Sequence, residues 1–246
     1  MVQVIVRCHR ELNEFLARAR QNTAIVYQVA ERTSVKDVVE SLNVPHTEVA
    51  FLFVNTRPVD FTYLTHDGDE IDAFPLTRRS DLPFSTFVEL RPPPPPRFVL
   101  DTHLGRLAGY LRMLGFDTLY SNTYHDDELA SISANADRIL LTRDIGLLKR
   151  AIVIHGYFVR STDPEKQIVE VLQRFSFFDC IELFKRCMRC NGLLHAVPKQ
   201  QIADQLQPRT RAYYHEFQQC EQCGHIYWKG PHYQAMQQLI IRIQQA

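Results

Sequence analysis

The sequence predicts a mixed α/β chain in three parts: a small α+β unit, a parallel sheet flanked by helices, and a short cysteine-bearing segment. Three observations carry this expectation. Apolar runs with strand-like spacing surround one amphipathic segment before residue 90, whereas after it short apolar runs alternate with amphipathic ones. Five consecutive prolines, 92–96, separate the two patterns, and two CxxC pairs lie near the carboxyl end. Hydrophobic residues at 45% and charged residues at 23% are enough for packed cores and exclude extended disorder.

In the first part, VQVIVRC and AIVYQVA read as strands, followed by a helix VKDVVESL that Ser34 can cap. Val35, Val38, Val39 and Leu42 give that helix one apolar stripe. AFLFVN and DEIDAF add strands around a turn at His66-Asp67-Gly68, for an order ββαββ. The proline run, bounded by Arg91 and Arg97, cannot donate to a ladder and reads as a stiff spacer. The expected boundaries are therefore 1–90, a linker over 91–97, 98–180 for the parallel sheet and 181–246 for the cysteine segment.

FVLD opens the second part as a buried strand. Leu104, Leu107, Ala108, Leu111 and Leu114 then form one helical stripe, with Gly115 as its stop. FDTLYS is the next strand, and Asp126 or Thr123 starts a helix through Leu129 and Ile132. RILLT reads as a strand, a brief helix covers Leu147 and Leu148, and IVIHGYFV is expected to be extended. Asp163-Pro164 begins the last helix of this part, with Ile168, Val171, Leu172 and Phe175 facing inward.

Cys187, Cys190, Cys220 and Cys223 form two CxxC knuckles, with Gly192 and Gly224 suited to the turns that follow. Four thiolates complete a tetrahedral shell, so the spacing predicts one structural zinc ion in a segment too small for its own core. His195, His225 and His232 lie near enough in sequence to be considered, but the cysteines already supply a full set. Cys8 and Cys180 are expected to be small buried hydrophobes.

Asp101 ends a strand, Asp144 follows another, and Asp126, Asp127 and Glu128 open a helix. In open parallel sheets the carboxyl ends of strands receive ligands, and clustered hard oxygens suit Mg²⁺ or Mn²⁺. Such an ion can activate water and stabilise charge on a phosphate during in-line displacement, which is nuclease chemistry. The competing role for any one of these acids is helix capping, and Asp101 can cap a helix beginning at Thr102. For Asp163 capping is the preferred role. Arg106, Arg112, Arg143, Lys149 and Arg150 are candidate phosphate contacts. Lys plus Arg equals Asp plus Glu at 28 each, so any nucleic-acid surface must be local.

The segments FVLDTHLGRLAGYLRMLGFDTLY, DDELA, LLTRD and CEQCGHIYWKGPHY resemble the Mut-seven C-terminal RNase family, a PIN-like fold with a zinc ribbon. The resemblance implies a metal-dependent endoribonuclease in which Asp101, Asp127 and Asp144 carry the divalent ion, with Asp126 able to replace its neighbour. PIN-like sites commonly use a fourth acid, for which Asp163 is the nearest candidate. The first part resembles the ubiquitin-like β-grasp domain found ahead of this RNase and is similar to small sulfur carriers. Those carriers end in a free Gly-Gly, whereas this chain continues through Phe74-Pro75-Leu76, which leaves a binding or positioning module open to a protein partner.

The expected partner is single-stranded RNA, with the aromatic and basic residues near Tyr213, Tyr214, Tyr227, Trp228 and Lys229 suited to stacking on unpaired bases. A non-catalytic RNA- or ribosome-associated binding protein is the alternative function. No apolar run is long enough to span a bilayer and the amino terminus reads as a strand, so a cytoplasmic protein is expected.

Overall fold

A computed structural model describes residues 1–75, 92 and 94–245, and these divide into two compact units. One comprises Met1–Pro93 with Tyr124–Phe158, the other Pro94–Thr123 with Val159–Ala246. The mixed α/β class with parallel pairing is borne out. The expected end of the first part at residue 90 and the first linker residue, Arg91, fall outside the described residues.

In the first unit, β1 (Val2–Cys8) pairs antiparallel with β2 (Ile25–Val29). Helix α1 (Val35–Ser41) follows, then β3 (Val49–Val54), the two-residue β4 (Arg57–Pro58) and β5 (Glu70–Pro75). The strand order is β2-β1-β5-β3-β4, with β1 and β5 parallel at the centre. This is the expected ββαββ order with β4 added as a short edge. Ser34 accepts from the Asp37 amide at 3.1 Å and so starts α1, worth about 1 kcal/mol for a cap of this type. The predicted stripe Val35, Val38, Val39 and Leu42 is buried against the sheet. Gly68 takes φ +81° in the predicted turn, a conformation that favours glycine.

The same unit contains α3 (Asp126–Asn135), β8 (Ile139–Thr142), α4 (Ile145–Leu148) and β9 (Gly156–Phe158), with β8 and β9 parallel from Leu140 opposite Gly156 to Thr142 opposite Phe158. Before them in the chain come β6 (Arg97–Leu100), α2 (Gly105–Met113) and β7 (Asp117–Tyr120), which belong to the second unit. The β1–β5 sheet with α1 is packed directly on α4 and β9. Ile145 and Phe158 join its apolar core, and Phe158 meets the edge of Phe15 at 5.5 Å between centroids. Buried Glu48 accepts from the Phe158 amide at 2.6 Å. Buried His46 sits between the Glu40 carboxylate at 2.6 Å and the Val153 carbonyl at 2.9 Å.

Those contacts explain why the expected strand IVIHGYFV is cut to three residues. The Val153 amide donates to Arg150 O at 3.0 Å and its carbonyl is taken by His46, so neither group is available to a ladder. The start of α3 also differs in detail from expectation. His125 occupies the capping position and Asp126 is already helical, while Thr123 turns its hydroxyl to Ser121 at 2.7 Å.

In the second unit β6 and β7 run parallel, from Arg97 opposite Asp117 to Leu100 opposite Tyr120. Leu104, Leu107, Ala108, Leu111 and Leu114 are buried as predicted, with Ile168, Val171 and Leu172 of α5 (Pro164–Phe175). Asp163 caps α5 through the Glu165 amide at 2.9 Å. Gly115 ends α2 with φ +94°, and a β-carbon there would stand 2.1 Å from Glu182 O, so both conformation and space demand glycine.

Cys8 is buried, as expected, but Cys180 is exposed. It lies at the end of a 3-10 turn, Phe178–Cys180, none of whose residues is buried.

Beyond this turn come β10 (Leu194–Val197), α6 (Lys199–Ile202), α7 (Pro208–Tyr213), β11 (Phe217–Cys220), β12 (Ile226–Trp228) and α8 (Pro231–Gln245). The three strands form an antiparallel ribbon in sequence order. Among the described residues, no helix is long and apolar enough to cross a membrane.

Candidate metal centre and acidic site

Each CxxC pair lies in a tight turn that aims two sulfurs at a common point. In the first, the Asn191 amide donates to Cys187 O at 2.9 Å and the Cys187 amide to Gly192 O at 2.8 Å. In the second, the Gly224 amide donates to Cys220 O at 3.0 Å. Gly224 has φ +68°, but the left-handed residue of the first turn is Asn191, at φ +71°. Gly192 serves a different need, because a β-carbon there would meet Cys220 Sγ at 2.9 Å.

The four sulfurs lie within 4.8 Å of one another, with Cys187 to Cys223 at 3.6 Å and Cys190 to Cys220 at 3.4 Å. Bonds of about 2.3 Å in a tetrahedron separate sulfurs by about 3.8 Å, so this cluster can hold a zinc ion with little movement. Burial pushes the Cys187 thiol up, but hydrogen bonds from the Tyr227 hydroxyl and the Cys190 and Arg189 amides outweigh it and bring it to about 7. Burial likewise pushes Cys190 up to about 12.

Tyr227, considered from sequence as a stacking residue, touches this site. Its hydroxyl lies 3.2 Å from Cys187 Sγ and accepts from the Met188 amide at 3.1 Å. Nothing in the sequence spacing marked that role.

The first knuckle is fastened to α2 and β7. Arg112, a candidate phosphate contact by its place in sequence, is buried and donates to three carbonyls: Thr118 at 2.9 Å, Met188 at 3.2 Å and Arg189 at 3.1 Å. The Asn191 side chain accepts from the Thr118 amide at 2.9 Å and donates to Asp117 at 2.8 Å. Two residues thus tie main chain on both sides of the junction, which explains why Arg112 faces inward.

The acids occupy strand ends and helix starts. Asp101 follows β6, is buried, and accepts from the Thr102 amide at 2.5 Å and its hydroxyl at 3.1 Å, the capping role foreseen for it. His103 Nδ1 is 3.7 Å away.

Asp144 caps α4 through the Leu147 amide at 3.1 Å and is exposed, while its own amide donates to the Thr142 hydroxyl at 3.0 Å. Asp126 and Asp127 are exposed in the first turn of α3. Asp127 pairs with Arg150, whose hydrogen bond and charge hold its carboxyl below the usual range. The Arg150 guanidinium is raised chiefly by its hydrogen bond to Asp127, with smaller contributions from the charges of Asp126 and Asp144. Three of the expected acids therefore share one cationic side chain. Arg106 and Arg143 are exposed and Lys149 is half-buried.

The family model described as Mut7-C RNAse domain matches residues 96–240, and that described as Mut7-C ubiquitin matches residues 1–81. No curated protein and no solved structure matches the chain.

Proposed function

Because the chain belongs to the Mut7-C RNase family, we propose that it is a divalent-metal-dependent endoribonuclease acting on single-stranded RNA, built as a β-grasp module over 1–90, a linker over 91–97, a PIN-like domain over 98–180 and a zinc ribbon over 181–246. The observation that carries the reading is the grouping of Asp126, Asp127 and Asp144 about the single charge of Arg150. Carboxylates in that number repel one another unless a cation offsets them, and their hard oxygens fit Mg²⁺ or Mn²⁺.

In this reading Asp101, Asp127 and Asp144 are the divalent-ion ligands, with Asp126 as the neighbour able to replace Asp127. A bound divalent cation supplies Lewis-acid stabilisation of phosphate charge and a more acidic water. Asp127 must leave Arg150 to take part, and the freed guanidinium is then positioned to hold a phosphate oxygen. Arg106, Arg143 and Lys149 are the proposed backbone contacts, whereas Arg112 spends its donors on carbonyls and is left out. Zinc in the cysteine cluster is structural, because four thiolates leave no open position.

The Asp127–Arg150 pair also favours a second reading, a non-catalytic RNA-binding protein in which the guanidinium keeps the acidic site closed. Cleavage of labelled single-stranded RNA separates the two. Zinc-loaded protein is expected to cut with added Mn²⁺ or Mg²⁺, to stop when the added ion is omitted, and to lose at least about a hundredfold in rate as Asp144→Asn or Asp101→Asn. RNA that is bound but uncut under every ion condition would end the enzyme reading.

A further inference from the structure

The ribbon carries a groove of about 480 Å³ on the face that also closes the metal site. Ala196, Gln218 and Tyr227 are cross-strand partners in register, so their side chains share that face and form the groove floor. Phe184 lines it, held at φ +59° and packed on Tyr233 at 4.7 Å between ring centroids. A bulky residue in the left-handed region is strained, and such strain persists where the surroundings fix it. Glu216 and Lys229 also line the groove and pair with each other at 2.6 Å, both exposed.

One feature of the floor is unsatisfied. Gln218 lines the groove, but its Oε1 is buried without a hydrogen-bond partner beside walls that include the Phe184, Phe217, Tyr227 and Trp228 rings. A buried acceptor of this kind costs about 1–3 kcal/mol unless a donor reaches it.

We propose that this groove binds one unpaired nucleobase of single-stranded RNA, stacked against Phe184 and Tyr227, with the Gln218 side-chain amide turning so that its Oε1 accepts an N–H from the base edge. The inference rests on the RNA reading above and assigns it a second contact point, on the ribbon. A planar base matches aromatic walls and carries edge donors that an aliphatic side chain lacks. The volume lies within the usual range for small-ligand pockets, about 300–1,000 Å³. Lys229 has three N–H donors, so a phosphate oxygen beside the base can share its ammonium with Glu216.

The test uses full-length, zinc-loaded protein without added Mg²⁺ or Mn²⁺ and a fluorescent single-stranded RNA. Phe184→Leu is expected to weaken binding about five- to a hundredfold, and Gln218→Leu about two- to tenfold. An abasic oligoribonucleotide of equal length should bind wild type and both variants alike. Ultraviolet crosslinking of wild-type protein to the same RNA gives a reading independent of variant folding, with adducts expected at Phe184 or Tyr227. Equal RNA affinity in folded variants, or crosslinks confined to other residues, would overturn the groove while leaving the nuclease reading standing. Failure of wild type to bind any RNA would overturn both.

Discussion

The ubiquitin-like part and the cysteine ribbon are each fastened to neighbouring α/β elements by buried polar side chains that grip main chain, but what supports those grips differs. His46 and Glu48 hold Val153 and Phe158 beside a continuous apolar core that takes in Ile145 and Phe158. Arg112 and Asn191 hold the first knuckle, which belongs to a four-cysteine cluster that could hold a zinc ion. Hydrophobic burial needs no ligand, whereas thiolates gathered without an ion repel. The first attachment should therefore be independent of metal and the second should fail with it.

The largest expected effect follows from that difference. Zinc removal, or Cys220→Ser at a buried ligand, should unfold the ribbon, because apparent zinc binding supplies roughly 10 kcal/mol or more in sites of this kind. Hydrogen exchange should rise over 186–228 and reach Thr118, whose amide is held by Asn191. Core amides of β1 and β5 should keep their protection. A ribbon still protected after zinc is lost would break the comparison.

Next come the residues at the second junction. Gly115→Ala forces a β-carbon against Glu182 O at an unfavourable φ, and a loss of about 3 kcal/mol is expected. Arg112→Leu leaves three carbonyls without their donor and should cost about 2–4 kcal/mol. Both are measured by urea denaturation of the zinc-loaded protein. If Arg112→Leu weakened RNA binding at unchanged stability, its assignment as a structural clamp would be wrong.

The first attachment should yield a smaller change. His46→Leu removes the group between Glu40 and Val153 but leaves the apolar contacts, so about 2 kcal/mol is expected, with zinc content unchanged. A proportionate loss of zinc would show that the two attachments are not separate.

These residues also mark where the sequence was legible. Periodicity located α1, α2 and α5 because their stripes are buried in one direction, and the caps Ser34 and Asp163 were readable because capping is local. The paired CxxC spacing found the cysteine cluster for the same reason. Arg112 was misread because an arginine near an acidic segment looks like a surface cation, and only the distant Met188 and Arg189 carbonyls turn it inward. The strand after Arg150 was overextended because His46, more than a hundred residues earlier, claims the Val153 carbonyl. Tyr227 was visible as an aromatic residue but not as the hydroxyl beside Cys187.

The finest test counts thiols. Burial, followed by the charge of Asp72, raises Cys8 from its ordinary 9.0 to about 12, while Cys180 is exposed and free. At about pH 8 an alkylating reagent should therefore label zinc-loaded protein once, at Cys180, since zinc protects four thiolates and the apolar core protects Cys8. Chelation should add four labels and leave Cys8 unmodified, because the metal-dependent ribbon opens and the first unit does not. Between pH 9 and 12 the folded chain keeps a proton at Cys8 that the unfolded chain has lost, so this thiol's contribution to stability is full below pH 9 and is lost as pH rises through that window. Mass spectrometry of the labelled peptides reads each site separately. A fifth new label on chelation, at Cys8, would mean that loss of zinc opens both units and that the apolar attachment does not stand on its own.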